Sequence, residues 1–221
     1  MSIMKAIIFD LDNTLFDVEQ YFSGAFSDIA NYLEEKYQVS SIEIHTKLMD
    51  IWKEKTSMYT HLFDDLLNEL DLENELEKVV QIFNDFDGDL KPYPDTIPLL
   101  TMLQQAHFKL GIITDGNIQR QRRKINLLGI GHFFDVILLT KELGQSKLTK
   151  GPFQKALDEL ETTPECSFYI GDNPNLDFIG AKKTGLKTVR LLKGEFKNTP
   201  RNEYIDYEIN ELKELSGFFN E

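Results

Sequence analysis

Short apolar runs through which no polar residue alternates constrain this chain more than any other feature. They occur at 6–10 (AIIFD), 109–114 (KLGIIT), 134–140 (FDVILLT), 167–171 (SFYIG) and 188–192 (TVRLL). A strand with one wet face alternates polar and apolar residues. These runs do not, so they read as strands buried on both faces of a parallel sheet. Helical periods lie between them: Leu99, Leu100 and Leu103 share one face, as do Phe153, Ala156, Leu157 and Leu160. Gly129 and Gly185 stand where a helix would end on a left-handed residue. Strand–helix alternation of this kind predicts an α/β fold with a doubly wound parallel sheet.

One long stretch departs from the alternation. Residues 17–88 contain no strand-like run but four helical stripes: Phe22, Phe26, Ile29 and Leu33; Ile44, Leu48, Ile51 and Trp52; Leu62, Phe63, Leu66, Leu67 and Leu70; and Leu76, Val79, Val80 and Phe83. The expected organisation is a core built from 1–16 and 89–221, with a helical bundle inserted at 17–88. The return segment DGDLKPYPD, with its glycine and two prolines, makes a natural hinge.

Composition narrows the partners. Thirty-seven acidic residues against 24 Lys and Arg leave a net charge of −13. That field repels a polynucleotide, while a small phosphate ester remains acceptable where a metal ion or local cations override it. No apolar run approaches a membrane span, and the N-terminus reads as a first strand instead of a signal peptide. The single cysteine, Cys166, has no partner for an internal disulfide and suits a reducing compartment, so a cytoplasmic location is expected.

Ligands of open parallel sheets gather beyond the carboxyl ends of the strands. Those ends carry Asp10-Leu11-Asp12-Asn13-Thr14, then Thr114-Asp115-Gly116-Asn117, then Lys147, then Gly171-Asp172 with Asp177. In order and spacing this set resembles the haloacid dehalogenase-like hydrolases, over almost the whole chain. The matching motifs are DxDxT (Asp10, Asp12, Thr14), a Thr after a hydrophobic strand (Thr114), a Lys near a helix start (Lys147), and GDxxxxD (Gly171, Asp172, Asp177), followed by GAKKTG at 180–185. The third motif departs from the family pattern, because GQSKLTKGPF lacks the proline that commonly follows the lysine. Lys150 is therefore a rival, and the distance to Phe153 favours Lys147.

The resemblance implies a phosphatase that attacks a small phosphorylated metabolite with the Asp10 carboxylate and forms an aspartyl-phosphate. Asp12 would protonate the leaving alcohol and then activate water. Thr114, Asp115 and the backbone N–H groups after them would grip phosphate, and Lys147 would offset transition-state charge. Asp10 and Asp12, two residues apart, lean to the same side in extended geometry, where like charge raises one pKa unless a cation intervenes. Mg²⁺, held by Asp10 and Asp172 with Asp12 contributing through its backbone carbonyl, would keep Asp10 ionised. Thr14 and Asp177 would support this arrangement from behind. In the family, a helical insert after the first motif forms a cap that closes over a small substrate.

A sugar phosphomutase on the same scaffold and a non-catalytic phosphate-binding relative stand as alternatives. Dehalogenation is disfavoured, because a departing halide needs no acid at Asp12 whereas an alkoxide does. The basic run Arg120-Gln-Arg-Arg-Lys124 reads as the solvated face of a helix whose apolar side is Ile118, Ile125 and Leu128. The four histidines have no metal-ligand spacing, and nothing near Cys166 activates a thiolate.

Overall fold

The computed structural model describes residues 5–218. Strand β1 (Ala6–Phe9) is buried throughout. Four helices follow it before the next strand: α1 (Glu19–Tyr37), α2 (Ser41–Lys55), α3 (Leu62–Glu69) and α4 (Leu76–Asp85). The chain then alternates through α5 (Thr96–Gln105), β2 (Lys109–Thr114), α6 (Ile118–Leu127), β3 (Val136–Leu139), the short α7 (Thr140–Leu143), α8 (Gly151–Glu159), β4 (Ser167–Gly171), α9 (Phe178–Thr184), β5 (Lys187–Leu191) and β6 (Tyr207–Ile209).

The strands form one sheet in the order β3-β2-β1-β4-β5-β6, every neighbouring pair parallel. This is the expected α/β arrangement, with flanking helices. Ala6, Ile8, Ile113, Val136, Leu138 and Tyr169 pack on one face with Phe153 and Leu157 of α8 and Phe178 of α9. Ile7, Phe9 and Ile112 are equally buried, which is why the central strands carry no alternating polar residue. Strand β6 was not among the apolar runs. It has three residues, of which Tyr207 and Glu208 are exposed, so its only sequence signal is Ile209.

The chain divides into two compact units, one running to Asp17 and resuming at Lys91, the other spanning Val18–Leu90. In the second unit α1 packs against α2 and α4 through an aromatic cluster. Phe22 stacks on Trp52 at 4.8 Å, and Phe26 and Phe63 meet Phe83 at 5.9 and 5.2 Å. Tyr21 is buried here, its hydroxyl donating to the Phe83 carbonyl at 2.6 Å. Ser40 caps α2 by accepting from the Glu43 N–H. Two residues depart from the helical stripes. Val80 is exposed, and Glu75 is buried where it accepts from the Tyr32 and Tyr37 hydroxyls at 2.5 Å and from Lys36 at 2.9 Å. Among the described residues no helix is long and apolar enough to cross a membrane.

Candidate active site

Chain order reverses between β1 and β4, the point at which an open α/β sheet leaves a crevice at its carboxyl edge. Phe9 pairs with Ile170, and the Asp10 N–H donates to the Ile170 carbonyl at 2.8 Å. That register sets the residues after the two strands, Asp10 and Gly171-Asp172, side by side. β2 lies on the other side of β1 and delivers Thr114.

Asp10, Asp172 and Asp177 converge, with one carboxylate oxygen of each lying within 4.8 Å of the others. All three are at least 94% buried. Lys147 enters this cluster, donating to Asp10 and, at 2.9 Å, to Asp177. Lys150 is exposed at the start of α8. Thr14, fully buried, donates weakly to Asp10 at 3.5 Å. The second oxygen of Asp177 accepts from the Asp172 and Asn173 N–H groups at 3.1 and 2.9 Å, so this carboxylate both shapes the motif loop and anchors the lysine. Gly171 permits it: a Cβ there would lie 2.5 Å from the same Asp177 oxygen. Gly180 serves a matching purpose on α9. Its N–H donates to the Lys147 carbonyl at 3.1 Å, and a Cβ would meet that carbonyl oxygen at 2.3 Å.

Burial dominates the electrostatics. It pushes the Asp10 carboxyl up to about 7, against the opposing pull of Lys147. Burial, then Asp177 and Asp10, hold Asp172 well above the carboxylate range. Burial also works against the charge of Lys147, but Asp10 and Asp177 outweigh it and keep the ammonium well above its ordinary value. The cluster is therefore short of positive charge. One Asp172 oxygen, Oδ2, is buried without a hydrogen-bond partner. An orphaned carboxylate oxygen, in an all-oxygen set of this span, fits a hard divalent cation.

Asp12 lies apart from this cluster. Its carboxylate accepts from Lys124 Nζ at 2.7 and 2.9 Å and from Gln121 Nε2 at 3.0 Å. Gln121 also donates to Thr114 Oγ1 at 2.7 Å, which ties the ends of β1 and β2 together. The expectation of a solvated basic face on α6 holds for Arg122 and fails for Lys124, which is 2% exposed. The sequence signal was present: Gln121, Lys124, Ile125 and Leu128 share one buried face at helical spacing. Burial pulls the Lys124 ammonium down, with Asp12 opposing.

Asp115 is half-buried and accepts from the Thr140 hydroxyl, a residue the sequence did not single out. Asn117 caps α6 by accepting from the Arg120 N–H at 3.1 Å, leaving a ten-residue helix whose N-terminus follows Thr114 closely. Arg190, fully buried on β5, was also missed. It donates to the carbonyls of Asp172, Phe196 and Thr199 and braces the loop after β4.

A parallel sheet bearing an aspartate cluster at its switch point, with a buried lysine between two of the acids, defines a class that comparison with known proteins makes specific. The haloacid dehalogenase-like hydrolase model matches residues 7–191, and the chain belongs to that family. Among its relatives is a glyceraldehyde 3-phosphate phosphatase of Methanocaldococcus jannaschii, 35% identical over 217 residues, covering 96% of this chain and 95% of that one. A HAD phosphatase from Thermococcus onnurineus superposes with a TM-score of 0.69 at 27% identity, over 98% of each chain. The HAD-hydrolase YfnB from Bacillus subtilis, bound to magnesium, shares the fold over the full length of both chains, with a TM-score of 0.73 at 22% identity.

Proposed function

We propose that this protein is a Mg²⁺-dependent phosphatase that hydrolyses a small phosphorylated metabolite, with Asp10 as the nucleophile. The observation carrying this reading is the position of Asp10. It is buried at the switch point beside Asp172 and paired with Lys147. The family membership and the phosphatase relatives support the reaction class. The names of those relatives make glyceraldehyde 3-phosphate the first substrate to test.

Asp10 and Asp172 would hold Mg²⁺ with Asp177 behind them, and the bound ion would supply positive charge to the phosphoryl oxygens. Asp10 attacks phosphorus, its oxygen forming the new bond as the ester oxygen departs. Asp12 gives its proton to that oxygen and then takes one from water, which cleaves the aspartyl-phosphate. Thr114, Asp115 and the N-terminus of α6 orient the phosphate. Lys147 balances the charge that develops on it, while Thr14 and Asp177 hold Asp10 and Lys147 in place. The helical unit, inserted directly after the Asp10–Thr14 segment, is assigned the role of specificity cap.

The test is phosphate release from glyceraldehyde 3-phosphate and p-nitrophenyl phosphate, with Mg²⁺ and with EDTA, for wild type and Asp10→Asn. Release that requires Mg²⁺ and disappears in the variant is expected. Equal release by both proteins would remove Asp10 from the mechanism.

A further inference from the structure

We propose that Lys124 and Gln121 are positioning residues that aim the Asp12 carboxyl at the leaving oxygen. This rests on the phosphatase reading and extends it to residues on a different element. Lys124 and Gln121 lie three apart on α6, on its buried face, at 2% and 1% exposure. Between them they make three contacts to Asp12, at 2.7, 2.9 and 3.0 Å, and engage both carboxylate oxygens. The Asp12 side chain is itself 30% exposed, so without these donors it would sample several rotamers. Proton transfer to a leaving group depends steeply on geometry. Gln121 adds a second constraint. The amide nitrogen that reaches Asp12 also donates to Thr114 Oγ1 at 2.7 Å, so the acid and the phosphate grip share one buried anchor.

The competing role for Lys124 is a second grip on the phosphate. Its ammonium instead straddles the two Asp12 oxygens. When Oδ1 carries the proton that goes to the leaving group, Oδ2 still accepts from both Lys124 and Gln121, which fixes the direction of the acid. The two roles differ in what they do to different esters. A phosphate grip acts on the group common to every substrate. A positioned acid matters for an alkyl ester, whose alkoxide must be protonated, and little for p-nitrophenyl phosphate, whose phenolate departs unaided.

The experiment compares kcat/KM for glyceraldehyde 3-phosphate and p-nitrophenyl phosphate in wild type, Lys124→Met, Gln121→Leu, Asp12→Asn and the Asp12→Asn/Lys124→Met double variant. The ratio of the two values within one preparation is independent of how much enzyme is folded, and kcat/KM reports steps up to leaving-group departure. Lys124→Met is expected to lower the alkyl-to-aryl ratio by about tenfold or more, and Gln121→Leu to lower it less. The double variant should fall no further than Asp12→Asn alone. If Lys124→Met does not fold, Gln121→Leu decides. An unchanged or raised ratio, or losses that multiply in the double variant, overturns the proposal. Failure of wild type to hydrolyse either ester overturns the phosphatase reading and this inference with it, whereas an Asp12→Asn ratio equal to wild type removes the acid role that Lys124 would serve.

Discussion

Lys147 Nζ stands 2.9 Å from Asp177 Oδ1, with both side chains 3% exposed. The same ammonium reaches Asp10, so one cation answers two buried acids. Removing one partner of a buried pair leaves the others uncompensated. Lys147→Met is therefore expected to lower kcat/KM by roughly 10²–10³-fold, the scale for losing one group aimed at developing charge. Lys150→Met, altering an exposed residue, should stay near wild type. Steady-state kinetics with p-nitrophenyl phosphate check both.

Burial holds the Asp10 carboxyl up to about 7 and Asp172 well above its usual range. An acid whose folded pKa lies above its unfolded value binds protons more tightly when folded. Metal-free protein should therefore lose stability from this source as pH rises from about 4 to about 7. Mg²⁺ requires ionised carboxylates, so its affinity should weaken below about pH 7 and its binding should release protons. Calorimetric titration in two buffers of different ionisation enthalpy measures that release. Thermal unfolding with EDTA and with Mg²⁺ should diverge as pH rises, and Asp172→Asn should abolish the divergence.

In the helical unit, Glu75 shows the opposite shift. Hydrogen bonds from Tyr32, Tyr37 and Lys36 pull it down to about 2. A depressed carboxyl stabilises the fold above its unfolded pKa and loses that effect as pH falls through the folded value. The stability difference between wild type and Glu75→Gln should be greatest above about pH 4.5 and shrink towards pH 2. Denaturant unfolding at several pH values, followed by circular dichroism, measures it.

Gly180 has no room for a side chain. A Cβ would fall 2.2 Å from the Thr149 carbonyl oxygen and 2.3 Å from that of Lys147. Both are backbone atoms, so the turn carrying Lys147 has to shift. Gly180→Ala should cost about 1–3 kcal/mol in urea unfolding and lower kcat as well. Gly217→Ala, with nothing within 4 Å of the added carbon, serves as the control.

The central strands were legible because burial on both faces leaves an uninterrupted apolar run, a signal that needs no knowledge of neighbours. β6 escaped because an exposed edge strand of three residues has almost no apolar content to display. In the site, Asp10, Asp12, Thr114, Asp172 and Asp177 were singled out from short motifs next to strands. Lys124 and Gln121 were not, because a polar residue on a helix reads as solvated until something buried is there to receive it. Asp12 is that receiver, 112 positions from Lys124 in the sequence.

The sequence by itself determined where strands end and which functional groups follow them, since both depend on residues adjacent along the chain. Only the tertiary structure decided which groups meet. It set Asp10 beside Asp172 through the β1–β4 register and drew Lys147 between Asp10 and Asp177. It turned one side of a basic helix inward onto Asp12 and seated Arg190 behind the loop after β4. Each of these is a pairing of charge or hydrogen-bond donor with acceptor across distant segments. The energy of such a pairing exists only once the sheet has brought both ends out of water.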